Sequence, residues 1–240
     1  MLDFRVSPPT AALAGSSSAL ALSPMCALAV AQTHGARLFA RRPPVHSVIV
    51  GACEIAHGAT THRGTSLAVP ANARHSVLAC HEPALLVAYL DARRYRFEDA
   101  QRLAHAWRGF RPGHDDAREA LGDALKAPRR RLDARLEILL ARLEAGEPSV
   151  GAAARAARLS ESRATHLLTE ALGAPPRIWR TWFRLRSAIG AVTLGRASLT
   201  EAAHHAGFFD SAHLTRTCRT LLGVAPKSVL PRDIYATLEI

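Results

Sequence analysis

Two stretches in the last ninety residues repeat each other. Val150–Pro176 reads VGAAARAARLSESRATHLLTEALGAPP, and Leu199–Pro226 reads LTEAAHHAGFFDSAHLTRTCRTLLGVAP. Ala153, Ala154 and Ala157 fall on Ala202, Ala203 and Ala206. With one residue inserted at the turn, Leu172-Gly173-Ala174-Pro175-Pro176 falls on Leu222-Gly223-Val224-Ala225-Pro226. Each copy reads as a short apolar-periodic helix, a tight turn and a second helix stopped by glycine, the pattern of a helix-turn-helix unit. Two such units in one basic chain imply a protein that meets two successive major-groove faces of DNA.

Charge supports an acidic partner. The chain of 240 residues carries a formal net charge of +11. Residues 149–232 hold 12 Arg/Lys against 4 Asp/Glu, whereas residues 1–127 hold 14 against 10, so the positive excess gathers where the repeat lies. Cys26, Cys53, Cys80 and Cys218 form no C-x-x-C pair, which speaks against a zinc site or a disulfide framework and for a reducing, cytoplasmic setting. No apolar run reaches the length of a transmembrane helix. The small, apolar stretch Ala11–Val30 has only Arg5 ahead of it and is interrupted by Pro24. It reads as a loose N-terminus leading into a first strand, not as a signal peptide.

The chain divides by period. Ala27–Ala31, Ala36–Ala40, Ser47–Ile55, Thr65–Pro70, Ser76–Ala79 and Ala84–Leu90 are short apolar or alternating runs separated by Gly, Pro, Asn and His, the spacing of a small antiparallel barrel or sandwich. From Phe97 the period becomes helical, over Phe97–Gly109, Asp115–Lys126 and Leu132–Ala145. Helices are expected at Val150–Ala157 and Glu161–Leu172, the latter capped by Ser160 and stopped by Gly173. A long helix follows near Pro176–Gly195, with Ile178, Trp182, Leu185, Ile189 and Val192 as a buried stripe. At about 1.5 Å per residue such a helix spans roughly 30 Å, close to the ~34 Å between successive major-groove faces. Ser198 or Thr200 caps the second unit, Gly207 makes its turn, and Asp210 caps Ser211–Leu222. The fold class is thus α+β: a small antiparallel β-barrel with helices, then an all-α part of two helix-turn-helix units joined by a long helix. The expected boundaries are 1–127 for a sensory and dimerisation domain, 128–148 for a linker with a lead-in helix, and 149–240 for the DNA-binding domain.

The stretch from about 147 to 232, with LSESRATHLLTEALGAPPRIW, the long helix and SLTEAAHHAGFFDSAHLTRTCRTLLGVAPKSV, resembles an AraC/XylS-type DNA-binding domain. Gly207-Phe208 and Gly223-Val224-Ala225-Pro226 match the "GF" and "G-x-x-P" features of that family's second unit. Two positions depart from it: Arg158 stands at the first turn where the family usually has Gly, and His166 stands where an Arg is common. A histidine cannot make the bidentate Arg–guanine pair. In the first half, Gly64 to Pro70 followed by His75 resembles the second cupin motif, while the first cupin motif is missing. The resemblance implies a cupin-like sensory barrel without a metal or other cofactor.

Within a paired helix-turn-helix the outward polar residues become candidate contacts. Expected at base edges are Ser162, Thr165 and His166 on the first recognition helix, and Ser211, Ala212, His213, Thr215 and Arg216 on the second. Arg216 suits a guanine edge through its fixed donor fork. Expected at phosphates are Arg163, Thr169, Arg180, Arg184 and Arg219. His34, His46 and His75 mark the expected effector pocket in the barrel. The barrel histidines lack the spacing of a shared metal site, and His204 and His205 diverge on their helix.

These features imply a bacterial, non-enzymatic transcription regulator that binds promoter DNA, responds to a small-molecule effector, works with RNA polymerase and forms a homodimer without touching a membrane. Apolar positions on the first two helices, including Leu103, Trp107, Leu121 and Leu125, are the expected dimer contacts; the alternative is that these helices pack on their own barrel. Two competing readings are a metal-dependent cupin-type enzyme with a nucleic-acid module and an effector-independent, nucleoid-associated structural DNA protein.

Overall fold

The computed structural model describes residues 19–22, 26–32, 38–81, 84–110, 130–193 and 195–226. Seven strands come first: β1 (Ala19–Leu22), β2 (Cys26–Gln32), β3 (Leu38–Arg41), β4 (His46–His57), β5 (Thr60–Val69), β6 (His75–Cys80) and β7 (Ala84–Leu90). Their order is β1-β2-β7-β4-β6-β3, with β5 also paired to β4, and every pairing is antiparallel. β1 lies in the stretch expected to be loose, and it pairs with β2 from Ala19↔Val30 to Leu22↔Ala27.

β4 organises the sheet. Its first half pairs with β7, from His46↔Leu90 to Val50↔Leu86, and its second half pairs with β6, from Cys53↔Cys80 to His57↔His75. β5 follows its length from Ser47↔Val69 to His57↔Thr60. The change of partner falls at Gly51, whose φ of 125° few other residues adopt. The strand pairing with β5 shifts register at the same place. Glycine there lets one strand bend and serve two neighbours.

Both faces of the β4–β7 pair are covered, which is why ALLVAYL reads as a continuous apolar run. Val48, Val50, Leu86, Ala88 and Leu90 share one core with Ala100 and Leu103 of helix α1 (Phe97–Ala106) and with Trp107, its C-cap. The alternate residues Ile49, Leu85, Val87 and Tyr89 join a second core that continues into the helical part. Strand periodicity of two assigns the residues to the two faces. This placement corrects one expectation: Leu103 and Trp107 are buried against their own sheet, so the apolar face of α1 is not free for a dimer partner. The expected helix Asp115–Lys126, with Leu121 and Leu125, lies outside the described residues, as does His34.

The helical part contains α2 (Ala134–Glu144), α3 (Val150–Ala156), α4 (Glu161–Leu172), α5 (Pro176–Thr193), α6 (Leu199–His205) and α7 (Ser211–Leu222). Leu136, Leu139, Leu140 and Leu143 of α2 are buried in the core that also holds Ala153, Leu168, Trp179 and Trp182. The lead-in helix thus packs with the repeated units. Tyr89 of β7 meets Trp182 of α5 with ring centroids 6.2 Å apart. Next to this contact, the Arg93 guanidinium lies 5.0 Å from the Phe183 ring centroid. Arg93 also pairs with Asp91 and Glu144, and Arg186 of α5 reaches Glu144 at 3.4 Å.

Candidate nucleic-acid interface

Capping explains why the repeated units start and stop where they do. The side chain of Ser149 accepts the Ala152 N–H, that of Ser160 the Arg163 N–H, and that of Asp210 the His213 N–H. Ser198 and Glu201 form a reciprocal capping box, which satisfies two otherwise orphaned donors. α4 and α7 both end on a left-handed glycine, Gly173 (φ 75°) and Gly223 (φ 77°), as helix C-termini favour. The two turns differ. Gly207 takes φ 78° in the second unit, whereas Arg158 takes φ 55° in the first, a left-handed conformation that costs a residue with a Cβ.

Both recognition helices bury one face and expose the other. Ala164, Leu168 and Leu172 anchor α4, while Leu214, Cys218, Leu221 and Leu222 anchor α7. Burial pushes the Cys218 thiol up to about 12, which keeps it protonated and in its role as a packing group. Outward on α4 stand Ser162, Arg163, His166 and Thr169, with Thr165 half-buried. Outward on α7 stand Ala212, His213, Arg216 and Arg219, with Ser211 and Thr215 half-buried. Thr169 donates to the Thr165 carbonyl at 2.7 Å, and Thr215 to the Ser211 carbonyl at 2.8 Å. His166 lies 3.7 Å from Glu170. Among the described residues no carboxylate pairs with Arg216 or Arg219.

Two of the arginines expected at phosphates have internal partners. Arg180 donates to the Pro148 carbonyl just ahead of α3. Arg184 donates to the Gly207 carbonyl at 3.3 Å and packs over that turn, where an added Cβ would meet its Cζ at 3.3 Å. Burial, then the neighbouring Arg180 charge, lowers the Arg184 pKa, though it stays cationic. Each arginine pins one unit to α5, with guanidinium donors left over.

Sequence reasoning missed two features near these helices. Phe209, beside the start of α7, is 83% exposed. It is a large apolar side chain in the Gly207-Phe208-Phe209-Asp210 turn. Its N–H donates to His213 Nδ1 at 3.4 Å. The second feature is a set of contacts from the sheet to the ends of α4 and α7. They centre on a chain reversal at Asn72, whose φ is 59°, a region Asn tolerates better than most residues.

A cavity of about 370 Å³ lies between the sheet and the end of α4. His46, Pro70, Ala71, Arg96, Arg130 and Gly173 are among the residues lining it. His46 accepts the Ala71 N–H on Nδ1 at 3.0 Å, and burial lowers its pKa to about 4, so it is neutral at pH 7. Burial, then the Arg96 charge, lowers the Arg130 pKa. Of the histidines expected at an effector pocket, His46 reaches this cavity. His75 does not; it is buried at the start of β6, its Nδ1 2.9 Å from the Ala73 carbonyl. Among the described residues no three His, Cys, Asp or Glu side chains converge as metal ligands, and no helix is long and apolar enough to cross a membrane.

Comparison with known proteins agrees with this geometry. Residues 153–232 match the family model described as a helix-turn-helix domain. No curated protein matches the chain in sequence. Among solved structures the chain is similar to an apo variant of ToxT from Vibrio cholerae strain SCE256, at 10% identity, covering 85% of this chain and 96% of that one with a TM-score of 0.57. It is similar also to wild-type ToxT from that strain bound to an unsaturated fatty acid, at 11% identity, 88% and 97% coverage and a TM-score of 0.56. A third is ToxT from Vibrio cholerae O395 bound to (E)-4-(8-methylnaphthalen-1-yl)but-3-enoic acid, at 10% identity, 84% and 97% coverage and a TM-score of 0.51. At this identity the likeness is one of fold: an antiparallel sheet with helices, followed by paired helix-turn-helix units. Residues 153–232 belong to the AraC-type helix-turn-helix domains, carried here behind an antiparallel-sheet domain.

Proposed function

We propose that this chain is a sequence-specific, effector-responsive transcription regulator of the bacterial cytoplasm, reading two successive major-groove faces with α4 and α7. The observation that carries the reading is the pairing of two capped, glycine-stopped helices with exposed polar faces on one basic body. Base contacts are assigned to Ser162, Thr165, His166, Ser211, Ala212, His213, Thr215 and Arg216. Phosphate contacts are assigned to Arg163, Thr169 and Arg219, and to the spare donors of Arg180 and Arg184. No enzymatic activity is assigned.

The effector site in this reading is the cavity beside His46. Arg96 and Arg130 face one carboxylate, Glu98, around it, so a small molecule bearing an anionic group and an apolar body suits it. That two similar structures are of ToxT bound to carboxylic acids supports the same class. An effector acts only by binding one conformational state better than another, and this cavity touches both the sheet and the end of a recognition helix. Contact with RNA polymerase and a homodimer formed through residues 1–127 complete the reading. Sedimentation of that fragment tests the dimer, and a monomer at tens of micromolar contradicts it.

The function itself is tested by selecting duplexes from a random library with the full-length protein and measuring affinity against salt. Enrichment of one bipartite sequence is expected, with affinity falling steeply as salt rises because arginines displace counterions. Recovery of unenriched duplexes contradicts sequence-specific reading.

A further inference from the structure

The sheet holds the ends of both recognition helices through one small hydrogen-bonded ring. Asn72 Nδ2 donates to the carbonyl of Gly173, the residue that stops α4, at 2.7 Å. The Arg42 N–H donates to the carbonyl of Thr220, in the last turn of α7, at 3.1 Å. These acceptors belong to the carbonyls that helix C-termini leave without intrahelical partners. The two loops are tied to each other: Arg42 Nε donates to the Asn72 carbonyl at 2.7 Å, and the Asn72 N–H to the Pro43 carbonyl at 2.7 Å. The approach is close, since a Cβ on Gly173 would lie 3.2 Å from the Ala71 carbonyl oxygen.

Two helix-turn-helix units joined by α5 alone can pivot about it. A second attachment, remote from α5 and reaching both reading helices, removes that freedom. The ring holds C-terminal ends and leaves exposed the residues of the first turns, which helix-turn-helix proteins present to base edges. We propose that Arg42 and Asn72 are positioning residues that fix the separation and angle of α4 and α7, and thereby set which half-site spacing the protein accepts. The inference rests on the DNA-reading function proposed above and adds to it a spacing rule imposed by the sheet domain.

The test uses the full-length chain and the duplex selected by the wild type, together with versions carrying one base pair more or less between the two half-sites. One base pair displaces a half-site by about 3.4 Å and turns it by roughly a tenth of a helical turn. Wild-type protein is expected to bind the respaced duplexes about tenfold more weakly, the order of one mismatched base pair. Asn72→Asp keeps the size of the side chain and the tolerance of its backbone but replaces the amide donor with an acceptor. It is expected to shrink the spacing penalty to about threefold or less. Arg42→Ala, which removes an exposed side chain and its tie to Asn72, is expected to reduce the penalty in the same direction and carries the test should Asn72→Asp fail to melt cooperatively. A folded variant that weakens every spacing equally, or keeps the wild-type penalty, overturns the proposal. A wild type that selects no sequence overturns the DNA-reading function itself, and the spacing rule falls with it.

Discussion

The two helix-turn-helix units share a backbone plan and differ in chemistry. α4 carries Arg163 against Glu161 and Glu170, whereas α7 carries Arg216 and Arg219 and no acid. The second unit turns on glycine, under the Arg184 guanidinium, and the first turns on a strained arginine. At its far end the first unit borders the cavity and the neutral His46. A phosphate-lined groove favours the unit with unopposed arginines, so under the proposed function α7 is expected to supply the larger share of affinity. α4 borders the cavity proposed for an effector through Ala171, Leu172 and Gly173. Duplication of a fold therefore does not imply duplication of role.

Acid should separate the units with the largest effect. His46 has a folded pKa of about 4 against 6.5 for the unperturbed side chain. Its neutral form is favoured by the fold, so its contribution is complete above pH 6.5 and is lost as pH falls from 6.5 toward 4. The loss is on the order of 3 kcal/mol, and a protonated ring can no longer accept the Ala71 N–H. Denaturant melts between pH 7 and 4 should show this slope in the wild type and a flatter one in His46→Asn. Equal slopes would remove the acid-sensitive element from the first unit's border.

Substitution on the reading faces comes next. Arg216→Ala should cost about 1–3 kcal/mol of binding and relax preference at one base pair. His166→Ala should cost less than about 1 kcal/mol, as befits a side chain that gains a single neutral hydrogen bond. Arg184→Ala should weaken all sequences alike and also loosen the Gly207 turn. Competition titrations with point-mutated duplexes check all three, and a His166 effect as large as that of Arg216 would break the proposed asymmetry.

The turns should show stability effects of opposite sign. Gly207→Ala puts a side chain at φ 78° against Arg184 and should destabilise the protein by about 1–2 kcal/mol. Arg158→Gly relieves a left-handed residue but loosens the unfolded chain, leaving a gain of up to about 1 kcal/mol. Paired thermal melts measure both; a loss for Arg158→Gly would mean that the first turn is not strained.

What could be read in the sequence follows from the range of the interactions. The bounds of α4 and α7 are set within a few residues, by Ser160 or Asp210 at one end and Gly173 or Gly223 at the other, and they lie where the repeat places them. The apolar run Ala84–Leu90 marked a strand without showing that both its faces are covered, or by what. By contrast, Asn72 meets Gly173 across 101 residues, and nothing local in Pro-Ala-Asn-Ala announces that partner. The same holds for Arg180 and Arg184, whose exposed-looking spacing conceals carbonyl partners in Pro148 and Gly207. The cavity depends on how the sheet and α4 meet, so a histidine count in the strands could single out His46 but not separate it from His75.

In the proposed function one chain reads two major-groove faces with unequal strength. A hydroxyl-radical footprint of the full-length protein on its selected duplex, taken at rising salt, tests it directly. Two protected regions about one helical turn, roughly 10 base pairs, apart are expected, with the region under α4 lost first as salt rises and that under α7 last. A single protected face, or two faces that fade together, would contradict it.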